Sequence, residues 1–140
     1  MNPKKIKLEE KSYDFVVFAI VTAEDDYHIV WCLNNILSLN LIREEHPMLK
    51  KEVAAGKNVS YFTYKNEDVN IEYALIGNKY DEFRLFPQLA TTDFVLKISG
   101  NLTNEQINEI ASAIRSVKEI TACINLNVKK TLLFGVFERI

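Results

Sequence analysis

Four glycines are scattered through 140 residues, with no two of them close together. That excludes the loops that cradle phosphates, which need several glycines within a few positions so that main-chain N–H groups can close on the ligand. Cysteine is as sparse. Cys32 and Cys123 sit inside apolar patterns, with no CxxC and no histidine cluster beside them. This argues against a disulfide scaffold and for two buried thiols behaving as small hydrophobes. Neither sign of charge dominates: 17 Lys and Arg stand against 19 Asp and Glu, a net charge of −2. A broad basic surface for nucleic-acid phosphates is therefore missing. Lys4-Lys5, Lys50-Lys51 and Lys129-Lys130 are diluted by acidic neighbours and read as solvated ends.

Long hydrophobic runs are missing too. Phe15 to Ala23 is apolar or nearly so for nine residues, whereas a membrane-spanning helix needs about 20. The run follows lysines and ends in Val21-Thr22-Ala23, in the manner of a secretory signal. However, Glu9, Glu10 and Asp14 come before it and Glu24-Asp25-Asp26 directly after. It reads as a strand, and the protein as cytoplasmic, with no membrane contact.

Catalytic constellations are few. None of the serines lies on a nucleophile elbow. Asp25-Asp26 suits the positive end of a helix dipole better than acid–base catalysis. His28 and His46 are the only histidines. Glu24, His28 and Cys32 fall at i, i+4 and i+8 of a predicted helix, but a metal site there needs at least one more ligand and a reason for a thiolate. The plainer reading leaves His28 exposed and Cys32 in the core, and assigns no catalytic, cofactor or metal residue. Tyr61, Phe62, Tyr64 and Tyr73 form an aromatic hairpin. It reads as cross-strand packing, not as a platform for bases.

What is present is enough apolar sequence, 48% of the residues, for one domain spanning 1–140. A chain of this length buries about 70% of its unfolded surface. Tyr13 to Val21 reads as a strand that is apolar on both faces, with Phe15, Val17, Ala19 and Val21 on one and Val16, Phe18 and Ile20 on the other. Such a strand is covered on both sides. Thr22 followed by Asp25 predicts the cap of a helix running to about Leu39, stopped at Asn40. Leu41 to Arg43 could begin a second strand, and Pro47 and Gly56 bracket an irregular segment within 44–58. Val59 to Tyr64 and Val69 to Ile76 predict a hairpin joined by Lys65 to Asp68. Gly77-Asn78 is a turn signal, and Phe83 to Phe86 is a short strand ended by Pro87.

Phe94 to Ile98 alternates, with Phe94, Leu96 and Ile98 inward and Lys97 outward. Thr103 and Gln106 form a capping box, after which Ile107, Ile110, Ala111, Ile114 and Val117 repeat at helical spacing. Thr121 to Val128 is a half-buried strand, with Ala122, Ile124, Leu126 and Val128 opposed to Cys123 and its neighbours. Leu132 to Phe137 is a last apolar run. Two strand–helix–strand units, each opening on Asp-Phe-Val (14–16 and 93–95), predict an α+β two-layer sandwich. Its mixed, mostly antiparallel sheet has about six strands and carries two helices on one face, in a split βαβ, ferredoxin-like arrangement with an inserted hairpin.

The segment Leu85-Phe86-Pro87-Gln88-Leu89-Ala90-Thr91-Thr92-Asp93-Phe94 resembles the signature of the IPExxxVDY family of uncharacterised bacterial proteins, chiefly of Bacteroidetes. The opening strand, the helix that follows and the closing aliphatic segments are similar in layout. Pro87 and Asp93 match identically, whereas Phe86, Gln88, Thr92 and Phe94 stand where the signature has Ile, Glu, Val and Tyr. Gln88 has no base and Phe94 no hydroxyl, so these residues imply architecture and not an acid–base pair. Pro87 ends a strand, and Asp93 accepts main-chain N–H groups where the next begins. The resemblance carries no activity.

The functional expectation is a non-enzymatic interaction or regulatory module acting as a homodimer. The doubly apolar first strand leaves one sheet face to be covered by a second copy, or by Ile6 and Leu8 of the tail. The alternative is a small-ligand-binding regulatory domain with its site at the dimer interface, an analogy of fold only.

Overall fold

A computed structural model describes residues 13–46, 59–80, 83–127 and 134–140. The tail with Ile6 and Leu8, the three lysine pairs, Val128, Leu132 and the segment around Pro47 and Gly56 lie outside the described residues. The main sheet is built from β1 (Tyr13–Thr22), β2 (Ile42–Arg43), β3 (Tyr61–Asn66), β4 (Ile71–Gly77), β7 (Phe94–Leu102) and β8 (Ile120–Leu126). Its order is β2-β3-β4-β7-β1-β8, with every neighbouring pair antiparallel. Helices α1 (Asp26–Leu37) and α2 (Asn104–Arg115) connect β1 to β2 and β7 to β8. This is the expected α+β sandwich: β8-β1-β7 is the split βαβ core, and the β2–β4 meander extends it on one side. Two short strands, β5 (Lys79–Tyr80) and β6 (Phe83–Arg84), form a separate ribbon. A single 3-10 turn (Pro87–Leu89) follows, and α3 (Phe134–Arg139) lies at the end of the chain.

The local chemistry explains the element ends. The cap of α1 is Asp25, not Thr22: the Asp25 carboxylate accepts the His28 N–H at 2.9 Å. Thr22 belongs to β1, and its hydroxyl is already engaged elsewhere. The helix stops at Ser38, two residues earlier than the Asn40 stop predicts, because Ser38 turns left-handed (φ 56°) and its N–H closes on Asn34 O. The Thr103–Gln106 capping box is formed in both directions. In β7 an extra residue lies opposite the Tyr13–Phe15 step of β1, between Ser99 and Leu102. Gly100 absorbs that bulge at φ 137°, where an added Cβ would sit 2.8 Å from Asn70 O.

Both faces of the sheet are buried, by different parts of the chain. Beneath α1 and α2 the core holds Phe18, Ile20, Leu75, Leu96 and Ile98 of the sheet with Ile29, Leu33, Ile107 and Ile114 of the helices. On the opposite face Val17, Ile76 and Val95 are fully buried under Phe137 of α3 and Phe86, whose rings are 4.9 Å apart. The described part of the last apolar run, from Phe134, is thus helical, and a third helix joins the expected two. The face that the sequence left for a second copy is covered by the chain itself. Lys97, expected outward, points into this second layer: only 8% of it is exposed, and its ammonium stands 4.9 Å from the Phe15 ring centre. Burial there lowers its pKa. In β8 the half-buried alternation holds for Ala122 and Leu126 against exposed Thr121 and Asn125, and fails at Ile124. Cys123 is in the core, and Ile124, on the edge strand, is 52% exposed.

Candidate functional site

The signature residues form a framework behind the start of α1. Pro87 opens the 3-10 turn and, with Gln88, faces solvent, whereas Phe94 begins β7 and is buried beneath the helices. Asp93 ties three strands together. Its N–H donates to Ile20 O of β1 at 2.9 Å, and its Oδ2 accepts the Thr22 N–H at 2.9 Å. Its Oδ1 lies 3.2 Å from the Lys79 ammonium. The turn itself hangs on Asn78, which is completely buried. The Asn78 amide donates to Leu89 O at 2.8 Å and Thr92 O at 2.9 Å, and its Oδ1 accepts the Phe86 N–H. Sequence reasoning took Asn78 for a turn residue. Nothing in its neighbours Gly77 and Lys79 marks an amide that satisfies a loop up to fourteen positions away.

From Asp93 the chain of contacts continues to α1. Thr22, held through its N–H by Asp93, donates its hydroxyl to Glu119 O at 2.7 Å and accepts the Glu24 N–H at 3.1 Å. The end of β1 thereby fixes the turn between α2 and β8, and that turn presents Glu119 to α1. Glu119 Oε2 is 3.3 Å from His28 Nε2, and Glu24 Oε1 is 4.0 Å from the same nitrogen. A carboxylate only accepts, so the closer contact places a proton on Nε2. Cys32, one turn further along α1, joins them: one ligand atom each from His28, Cys32 and Glu119 lies within 4.8 Å of the others.

The electrostatics of this group are those of a site short of positive charge. The hydrogen bond from His28 draws the Glu119 carboxyl below its ordinary pKa. Burial pushes the Cys32 thiol up, and the negative charges of Glu119 and Glu24 push it further. The sequence set Glu24, His28 and Cys32 at helical spacing; the structure keeps His28 and Cys32 on α1 but leaves Glu24 in the turn before its Asp25 cap, and Glu119 comes from the fold alone. Cys32 is buried, as expected, while His28 is only half-exposed.

Beside the cluster the outer surface of α1 carries two large aromatics. Tyr27 is 66% exposed and Trp31 62%. The Trp31 ring lies 5.9 Å from the His28 ring, and Tyr27 rests edge-on against Phe62. Tyr64 and Tyr73 stack across β3 and β4, half-buried against the core.

Comparison of the chain with protein-family models, curated proteins and solved structures found no match. Among the described residues no helix is long and apolar enough to cross a membrane.

Proposed function

We propose that the protein is a non-enzymatic regulatory or interaction module of the cytoplasm that works as a homodimer through the outer surface of α1. The observation that carries this reading is the exposure of Tyr27 and Trp31, one turn apart on the same side of one helix. The core does not use them, and both sheet faces already have their cover. Trp and Tyr in such positions are the residues that dominate binding energy at protein interfaces. Trp31 lies mid-helix in α1, so two copies crossing antiparallel about a two-fold axis at Trp31 would bury all four rings in a self-complementary contact. Cys32 and Cys123 are unpaired thiols, which suits a reducing compartment.

Sedimentation velocity over a range of concentrations tests this. A dimer is expected in the micromolar range, with Trp31→Ala and Tyr27→Ala each raising the dissociation constant about tenfold or more, the size of a 1.4 kcal/mol loss. A particle of 16.2 kDa at every concentration, or a dimer indifferent to both substitutions, overturns the proposal. A second reading, a small-ligand-binding regulatory domain with its site at that interface, is favoured by the His28 cluster lying against Trp31.

A further inference from the structure

We propose that His28, Cys32 and Glu119, with Glu24 as a fourth donor, hold one divalent transition-metal ion of the zinc type. The inference stands on the cluster alone and does not need the dimer. Three features of the geometry lead to it. First, the donors converge from two separate parts of the chain: α1 and its leading turn supply Glu24, His28 and Cys32, and the turn before β8 supplies Glu119. Second, the spacing suits a tetrahedral ion. Bonds of about 2.0–2.3 Å to nitrogen, oxygen and sulfur place donor atoms roughly 3.3–3.8 Å apart. His28 Nε2 and Glu119 Oε2 are already at 3.3 Å, Glu24 Oε1 is at 4.0 Å from the imidazole, and the Cys32 sulfur lies within 4.8 Å of its partners. Small side-chain rotations close the set of His28, Cys32 and Glu119, and Glu24, which approaches the imidazole alone, swings in as the fourth donor.

Third, the donors are held from behind. Asp25 accepts the His28 N–H and so fixes the first turn of α1. Thr22 grips the main chain of both Glu119 and Glu24. A site whose ligands are oriented by their neighbours binds metal with little left to order.

The donor set also selects the ion. One thiolate, one imidazole and carboxylate oxygens suit zinc and its first-row neighbours, while calcium and magnesium favour oxygen alone. On binding, the thiol proton leaves to solvent, and the imidazole proton moves from Nε2 to Nδ1, which frees the Nε2 lone pair for the ion. The carboxylates that disfavour a lone thiolate are then facing a cation.

The test is titration of the untagged full-length protein, reduced and freed of metal by chelator, with Co²⁺ followed by Zn²⁺. We expect one equivalent of Co²⁺ to produce a sulfur-to-cobalt charge-transfer band with visible bands of tetrahedral intensity, and to quench the fluorescence of Trp31, the single tryptophan. One equivalent of Zn²⁺ should abolish the cobalt spectrum and raise the unfolding temperature. Cys32→Ala should remove the charge-transfer band, and His28→Gln and Glu119→Gln should each weaken binding at least tenfold. Cys123→Ala should change nothing. Should Cys32→Ala fail to fold, the His28 and Glu119 variants decide, since both side chains are partly exposed and lie outside the core. Absence of the charge-transfer band at excess Co²⁺, its loss in Cys123→Ala instead of Cys32→Ala, or affinity untouched by both His28→Gln and Glu119→Gln would each overturn the site.

Discussion

Asn78 and Asp93 show how much a fold can rest on two short polar side chains. Asn78 uses both amide hydrogens and its oxygen inside the protein, each in place of a contact with water. Replacing it by alanine leaves the Phe86 N–H and the Thr92 carbonyl without their Asn78 partner, while the Leu89 carbonyl keeps the Thr92 N–H. An orphaned buried group costs about 1–3 kcal/mol, so Asn78→Ala should lower stability by about 2–4 kcal/mol. Urea denaturation checks this, and a loss below about 1 kcal/mol would show that the loop finds other partners. Asp93 works by charge as well as shape, accepting the Thr22 N–H and facing Lys79. Asp93→Ala should cost about 1.5–3 kcal/mol, the worth of a hydrogen bond to a charged acceptor. Asp93→Asn keeps an acceptor oxygen and should cost less. Thermal unfolding of the three proteins ranks them, and midpoints unchanged or raised in both variants would make the carboxylate a functional group held under strain.

Among the helices, α3 is the shortest and has the largest consequence. Its six residues place Phe137, fully buried, against Phe86 and over the sheet face that β1 shares with β4 and β7. Truncation of a buried phenylalanine typically costs about 3–5 kcal/mol, and Phe137→Ala should fall in that range by urea denaturation. The same variant should bind a hydrophobic dye, because Val17, Ile76 and Val95 lose their cover. Native stability with no dye binding would mean that the face is covered from elsewhere. The sequence showed that β1 is apolar on both sides, and so that a cover exists, but not what the cover is. Leu132 to Phe137 is too short for helical periodicity to separate from strand alternation. By contrast, the start and face of α2 were legible, since Thr103 and Gln106 mark its start and Ile107, Ile110, Ala111 and Ile114 repeat along it, with Val117 falling just past its end at Arg115.

For the molecule as a whole, buried acids set the alkaline limit. Burial lifts the Cys123 thiol from 9.0 to about 11, and burial likewise raises the phenols of Tyr61, Tyr73 and Tyr80 above 10.0. A raised pKa means that the folded state holds its proton more tightly than the unfolded chain does. The resulting stability is complete below the unfolded pKa and is lost as pH rises toward the folded one. Lys97, lowered by burial, acts in the opposite sense. With one group against five, Cys32 being raised as well, stability should fall between pH 9 and about 11, and Cys123→Ala should flatten the first part of that fall. Denaturant unfolding across this range measures it, and a flat profile in the parent protein would contradict the burial of these groups. Near neutral pH Cys123 should react slowly with thiol reagents, since little thiolate is present.

What the sequence determined by itself is local: the strand and helix periods, the Thr103–Gln106 box, the hairpin between β3 and β4, the double burial of β1, and from their order the α+β sandwich. Each is written in residues a few positions apart, where backbone geometry repeats and apolar side chains must follow it. What only the tertiary structure decided is convergence. Glu119 meets His28 across 91 positions, and Asn78 reaches the Leu89 and Thr92 carbonyls across 11 and 14. Phe137 closes a face begun at Phe15. Such meetings depend on strand order and on where turns aim their side chains, and neither leaves a period in the chain. For that reason Glu24, His28 and Cys32 could be set at helical spacing from the sequence, while the carboxylate that completes them had to come from the fold.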